Sequence, residues 1–215
     1  MNIRERAEEI FAWGLAQRND PAVDSWSTHS HAAARVASVL AEKLGLDADK
    51  AYAMGLLHDI GRYDYDSGMD HIVLGYRKSI EEDLPEVARI CLTHSFGAKW
   101  QVNDLKLTSA EDTEFVKKYI AEIEFDDYDR IAQIADYMAG AHGVTTLERR
   151  FCSVLARYDI AEPRKDLLVA YDLKRYFDEK CGCDIYELFH DEIAAAAFNG
   201  IPGDYEWTGK EKEVK

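Results

Sequence analysis

Gly55-Leu56-Leu57-His58-Asp59-Ile60-Gly61-Arg62 is the stretch on which the reading of this chain turns. The run Ala53 to Leu57 is small and apolar, so His58 and Asp59 emerge from a buried helix. A His-Asp pair ordinarily marks a solvated helix end, and these flanks do not fit that setting. Ionisable side chains at the end of a buried run need partners, because unpaired buried charge is costly. Candidate partners lie at His29, His71, His94 and Asp136, the last within Ile134-Ala135-Asp136-Tyr137. Imidazoles and carboxylates together form a donor set for one or two small divalent metals. Such an ion can acidify a bound water, and an ion pair can clamp the oxygens of a phosphoryl group.

Helical phase tests which histidines point inward. Side chains at i, i+4, i+7, i+11 and i+15 share a face. From His29 this selects Ala33, Val36, Leu40 and Leu44, an apolar stripe; from His31 it selects Arg35, Ser38 and Glu42, the wet side. His29 is therefore the inward residue, and His31 either a surface histidine or one standing behind the ligands. Val87, Ile90, Cys91 and His94 fall on one face by the same rule. Asp136 is surrounded by small residues, Ala132 four before it and Ala139 three after. Asp126, Asp127 and Asp129 precede that stripe and read as solvated acids at a helix N-terminus.

The pattern His29, His58-Asp59, Asp136 resembles that of the HD superfamily of metal-dependent phosphohydrolases, over most of Asp24 to Arg149. The supporting blocks are His29-Ser30 leading into Leu44-Gly45-Leu46, then Leu56 to Arg62, His71-Ile72-Val73-Leu74-Gly75, Ile90 to His94, and Ile134 to Tyr137. The family often has Lys where Arg62 stands. The resemblance implies an all-α helical bundle and a hydrolase that uses a metal-activated water on a small phosphoester, a nucleotide being the expected substrate class. It assigns His29, His58, Asp59 and Asp136 to a first ion. Asp59 bridges to a second, completed by His71 and His94 as in the binuclear branch. Asp59 and Arg62 are the candidate catalytic residues. Arg62 either supplies a cation near the leaving group or pairs with Asp64 or Asp66. Mn, Fe, Co or Mg suit such a donor set, with Zn or Ni as species acquired on purification. The same ligands also resemble those of HD-type mixed-valence di-iron oxygenases. A non-catalytic small-ligand receptor is a third reading, against which six intact ligands argue.

Composition sets outer bounds. The chain has 215 residues, 47% hydrophobic and 31% charged, an ordinary globular balance that fits one domain. The ligand-bearing core is expected at about 24–149, further helices at about 150–200 and a frayed charged tail at 209–215. The net charge of −15 argues against long nucleic acid and against an anionic membrane surface. Cys181-Gly182-Cys183 is too tight for a zinc knuckle, and Cys91, Cys152 and this pair read as free thiols. No apolar run spans a bilayer and no signal-peptide core is visible, so the cytoplasm is the default compartment.

Along the chain the elements read as helices, with no strand pairs. Helices are expected at Arg4 to Ala16, then from caps in Asp24-Ser25-Trp26-Ser27 to a stop at Gly45. Asp47 caps the helix that carries His58, and Pro85 opens the helix that carries His94. Ala110 to Ile123, Asp127 to Ala141, Thr146 to Ala156, Asp166 to Lys180 and Asp184 to Phe198 follow. Arg62 to Gly68 and Gly97 to Thr108 read as loops. The second carries Trp100, which is either substrate-facing or tucked into the core. Arg77, Lys78, Arg149 and Arg150 read as solvated cations.

The phase argument makes the first prediction. His29→Ala should lose bound metal, and His31→Ala should keep it, as measured by elemental analysis of the purified variants. The reverse result would overturn the register of this helix.

Overall fold

The computed structural model describes residues 2–20, 22–157, 160 and 162–198. The expected tail at 209–215 lies outside them. The architecture is all-α: α1 (Ile3–Ala16), α2 (Val23–Lys43), α3 (Ala48–Leu57), α4 (His71–Glu81), α5 (Pro85–Thr93), α6 (Ala110–Glu122), α7 (Asp127–Met138), α8 (Leu147–Leu155), α9 (Pro163–Cys181) and α10 (His190–Ala197). Among the described residues no helix is long and apolar enough to cross a membrane.

Helix α2 organises the bundle by packing on both α3 and α7. Its apolar stripe, Ala33, Val36 and Leu40, joins Ile131, Ile134 and Met138 of α7 and Leu173 and Phe177 of α9 in one core cluster. Phe11, Trp26, Leu56, Leu57, Ile60 and Ile90 make a second cluster beneath α1, α3 and α5. A third, with Ile72, Leu92, Phe96, Val116 and Ile120, lies among α4, α5 and α6.

Local chemistry accounts for the ends of these helices. Asp47 accepts a hydrogen bond from the Lys50 amide and caps α3 as expected. Pro85 opens α5, where a missing N–H leaves no partner wanting. Gly45 adopts φ +72°, and Leu46 N–H closes back on Ala41 O to end α2. The expected caps at Asp24 to Ser27 are displaced. Helix α2 already starts at Val23, so these residues form its first turn, and Asp20 receives the Ala22 amide instead. The final expected helix is divided at Phe189 into a 3-10 turn, Ile185–Phe189, and α10.

The absence of strands was the wrong expectation. Helix α7 stops at Met138, and Ala139–Gly140 pairs antiparallel with Gly143–Val144, joining Ala139 to Val144 and Gly140 to Gly143. A two-residue turn at Ala141 and His142 closes this hairpin. Gly143 has φ +112°, a conformation that L side chains avoid. A helix continued to Ala141 would have needed the backbone groups that the hairpin uses.

Two glycines allow the close approaches that assemble the centre. A Cβ on Gly55 would stand 2.7 Å from Ala33 O, so α3 meets α2 backbone to backbone. A Cβ on Gly61 would stand 2.0 Å from His71 O and 2.6 Å from Gly75 N. The chain leaving Asp59 is therefore pressed onto the first turn of α4, and the nearest obstacle is main chain, which cannot swing aside. Gly61→Ala should lower unfolding stability by about 3 kcal/mol, the upper range for overpacking a dense interior. Urea denaturation measures this, and an unchanged midpoint would refute the packing argument.

Candidate metal centre

Five helices deliver the six predicted residues to one place. His29 lies within α2, His58 caps the end of α3, and Asp59 follows it. His71 begins α4, His94 caps the end of α5, and Asp136 sits in the last turn of α7. All four histidines and Asp59 are buried, and Asp136 is half-buried. His31 is exposed, with Nε2 3.6 Å from Glu8.

The imidazoles share one orientation. Each places Nδ1 against a backbone carbonyl: His29 on Ala139 at 3.0 Å, His58 on Gly55 at 2.7 Å, His71 on Gly68 at 2.6 Å and His94 on Ile90 at 3.1 Å. A carbonyl can only accept, so Nδ1 carries the proton and the Nε2 lone pair points the other way. The four Nε2 atoms converge on the carboxylates. The two oxygens of Asp59 divide them. His29 and His58 lie 3.8 and 3.7 Å from Oδ2, and His71 and His94 lie 3.0 and 3.4 Å from Oδ1. Asp136 Oδ1 approaches His29 Nε2 at 3.3 Å and His58 Nε2 at 3.9 Å. The Nε2 atoms of His29 and His58 are themselves 3.2 Å apart.

Lone pairs facing lone pairs and anionic oxygens are repulsive unless a cation lies between them. Asp59 Oδ1 and His71 Nε2, although 3.0 Å apart, are both buried without a hydrogen bond. Such orphaned atoms need an explanation, and an ion is one. His29, His58 and Asp136 form one group with metal-ligand spacing, and His58, Asp59 and His94 form another. The donors, imidazole nitrogen and carboxylate oxygen, suit a divalent ion. The residues present therefore fit a metal.

The electrostatics agree. Burial pushes His58 down to about 3 and holds His71 below its ordinary value, so both rings are neutral donors at neutral pH. For His94, burial also pulls downward, but the negative charge of Asp59 beside it outweighs this and raises the ring. Burial would raise Asp59, yet the Arg62 guanidinium holds it well below the carboxylate range. Asp136 is likewise held low against burial, with the Arg150 guanidinium beside it.

Arg62 donates from Nε to Asp59 Oδ2 at 2.6 Å. Its side chain is 35% exposed, so it stands at the rim of the centre. Arg150 was expected in solvent, but it donates to Asp136 Oδ1 at 3.3 Å with a side chain only 17% exposed. Nothing local in the sequence distinguishes it from Arg149, because its partner lies beyond the hairpin. Asp129 was also misread as a solvated acid. It is fully buried, gripped by Arg89 at 2.5 Å and by the Thr93 hydroxyl at 2.8 Å, and it closes a capping box with Asp126. Trp100 is 39% exposed on a 3-10 turn, Lys99–Asp104, and so is not tucked into the core. The four cysteines are free.

The family model described as HD domain matches residues 26–141. That is more than half of the chain, and the chain belongs to this family, the HD domain of the metal-dependent phosphohydrolase superfamily. The family is generally one of hydrolases. Ribonuclease Y of Mycoplasma mycoides is 46% identical over 48 residues, which are 22% of this chain and 11% of that protein. Ribonuclease Y of Mycoplasma capricolum subsp. capricolum is 46% identical over 48 residues, 22% of this chain and 9% of that one. The match thus spans about a tenth of the curated relatives. No solved structure gives a significant match.

A ligand that binds only the folded state adds stability by mass action, about 2.7 kcal/mol at a hundredfold excess over Kd. The purified protein should carry between one and two transition-metal ions per chain, and chelation should lower its melting temperature, with Mn²⁺ restoring it. A chain that stays metal-free on titration, with an unmoved melting temperature, would defeat the metal reading.

Proposed function

We propose that this chain hydrolyses small phosphoesters, with nucleotides as the substrate class, using ions held by His29, His58, Asp59, His71, His94 and Asp136. The observation that carries the reading is the division of four Nε2 atoms between the two oxygens of Asp59. It supports a first ion held by His29, His58, Asp59 and Asp136, and a second held by Asp59, His71 and His94. Mn²⁺, Fe²⁺, Co²⁺ and Mg²⁺ are the ions that this donor set favours. When bound, they would lower the pKa of a coordinated water and take up charge from phosphoryl oxygens.

The chain's own residues supply the rest. Backbone carbonyls fix the tautomer and aim of each imidazole. Arg62 and Arg150 keep Asp59 and Asp136 ionised and bring positive charge to a place where a phosphate would arrive. Arg62 thereby serves both as the partner of Asp59 and as a rim cation. The relatives named Ribonuclease Y act, by that name, on ribonucleic acid, which supports nucleotide phosphoesters as the class. The net charge of −15 favours a small substrate over a long polyanion. Four free cysteines fit a reducing compartment such as the cytoplasm.

The test is a phosphate-release screen over nucleotides and simple phosphoesters, under nitrogen, with Mn²⁺- and Co²⁺-loaded protein. Release from at least one nucleotide is expected, and Asp59→Ala should abolish it even with metal in excess. Silence across the screen, with iron-loaded protein consuming O₂ beside a phosphonate or polyol, would replace this reading with the oxygenase one.

A further inference from the structure

Helix α7 buries an unusual set of polar side chains upstream of Asp136. Asp129 and Gln133 are both fully buried, and Arg130 lies between them. Buried polar groups are tolerated only when hydrogen-bonded, and all three reach one short segment, residues 93–97 at and just past the end of α5, while Asp129 also accepts from Arg89 and from the Asp126 amide. Gln133 Nε2 donates to Thr93 O at 3.2 Å and to Phe96 O at 2.8 Å. Arg130 Nη1 donates to Gly97 O at 2.6 Å and to Gln133 Oε1 at 3.0 Å. Asp129 accepts from the Thr93 hydroxyl at 2.8 Å.

His94 stands in the middle of that segment. The last carbonyls of a helix lack the usual partners within it; Thr93 O takes the Phe96 N–H at 3.1 Å, and Gln133 on α7 supplies the bond from outside. The His94 ring is aimed by a bond to Ile90 O within the same last turn, and the ring therefore moves with that turn. Positions 129, 133 and 136 share a face of α7. One helix thus presents Asp136 to the centre and, within its preceding two turns, grips the carbonyls on both sides of His94.

We propose that Gln133 is a positioning residue for His94, setting the distance between the His94 and Asp136 ligands through the Thr93 and Phe96 carbonyls. This rests on the reading of His94 as a ligand, and the experiment separates the two. Mn²⁺ binding is measured by calorimetry on the metal-free full-length protein, with His94→Ala identifying the ion that depends on His94. Gln133→Met keeps the length and removes both donors. It should weaken that same ion by about tenfold, the usual scale for a group supporting a ligand, while leaving the other ion's affinity unchanged. Arg130→Met, at a partly exposed position, should weaken it in the same selective way by a smaller factor, and it serves if Gln133→Met does not fold. Thermal melting of the metal-free variants reads any general loosening. A lower melting temperature with unchanged Mn²⁺ affinity, or equal weakening of both ions, would make Gln133 a packing residue and overturn the proposal. If His94→Ala itself leaves Mn²⁺ binding unaltered, the ligand reading of His94 fails and the positioning inference falls with it.

Discussion

The buried carboxylate of Asp59 is the constraint around which the rest of the molecule is arranged. Taking an ion out of water costs on the order of several kcal/mol even after the protein relaxes. Asp59 must therefore be compensated; Arg62 donates to it, and four imidazoles stand around it where a cation would complete the set. These groups come from different helices, so their meeting dictates where the helices lie. The start of α4 must reach the chain two residues past Asp59, which requires the bare backbone of Gly61. The end of α3 must lie against α2, which requires that of Gly55. The apolar clusters fill the space these approaches define.

Much of this was legible in the sequence, for a physical reason. His29 and His94 share a face with apolar residues, so periodicity alone turned them inward and left His31 outside. His58 and Asp59 declared themselves by the dry run before them. What could not be read depended on partners distant in sequence. Asp129 looks like any acid at a helix start until Arg89 and Thr93 are brought against it. Arg150 resembles Arg149 until the hairpin at Ala139–Val144 folds it back on Asp136. The hairpin itself is too short for an alternation to show. Its only local signs are Gly140 and Gly143 and the β-branched Val144-Thr145-Thr146 that follows.

The charge distribution carries a related lesson. The chain bears −15, yet guanidinium groups stand against both carboxylates of the centre. Net charge describes how the surface repels polyanions; it says little about a pocket whose local field is set by a few fixed cations and by any ion bound there.

The carbonyls of Ala139, Gly55, Gly68 and Ile90 have a consequence for how this centre tolerates genetic change. Each histidine is aimed by a main-chain oxygen, and every amino acid possesses one. Replacing the residue that owns the oxygen does not delete the acceptor, so the aim of the rings is not encoded in the side chains of those positions. It is exposed instead to anything that tilts a helix end or shifts the hairpin. Substitutions would therefore act through backbone displacement, and harmful ones should fall at glycines such as Gly55 and Gly61 and at inter-helix braces as well as at the ligands.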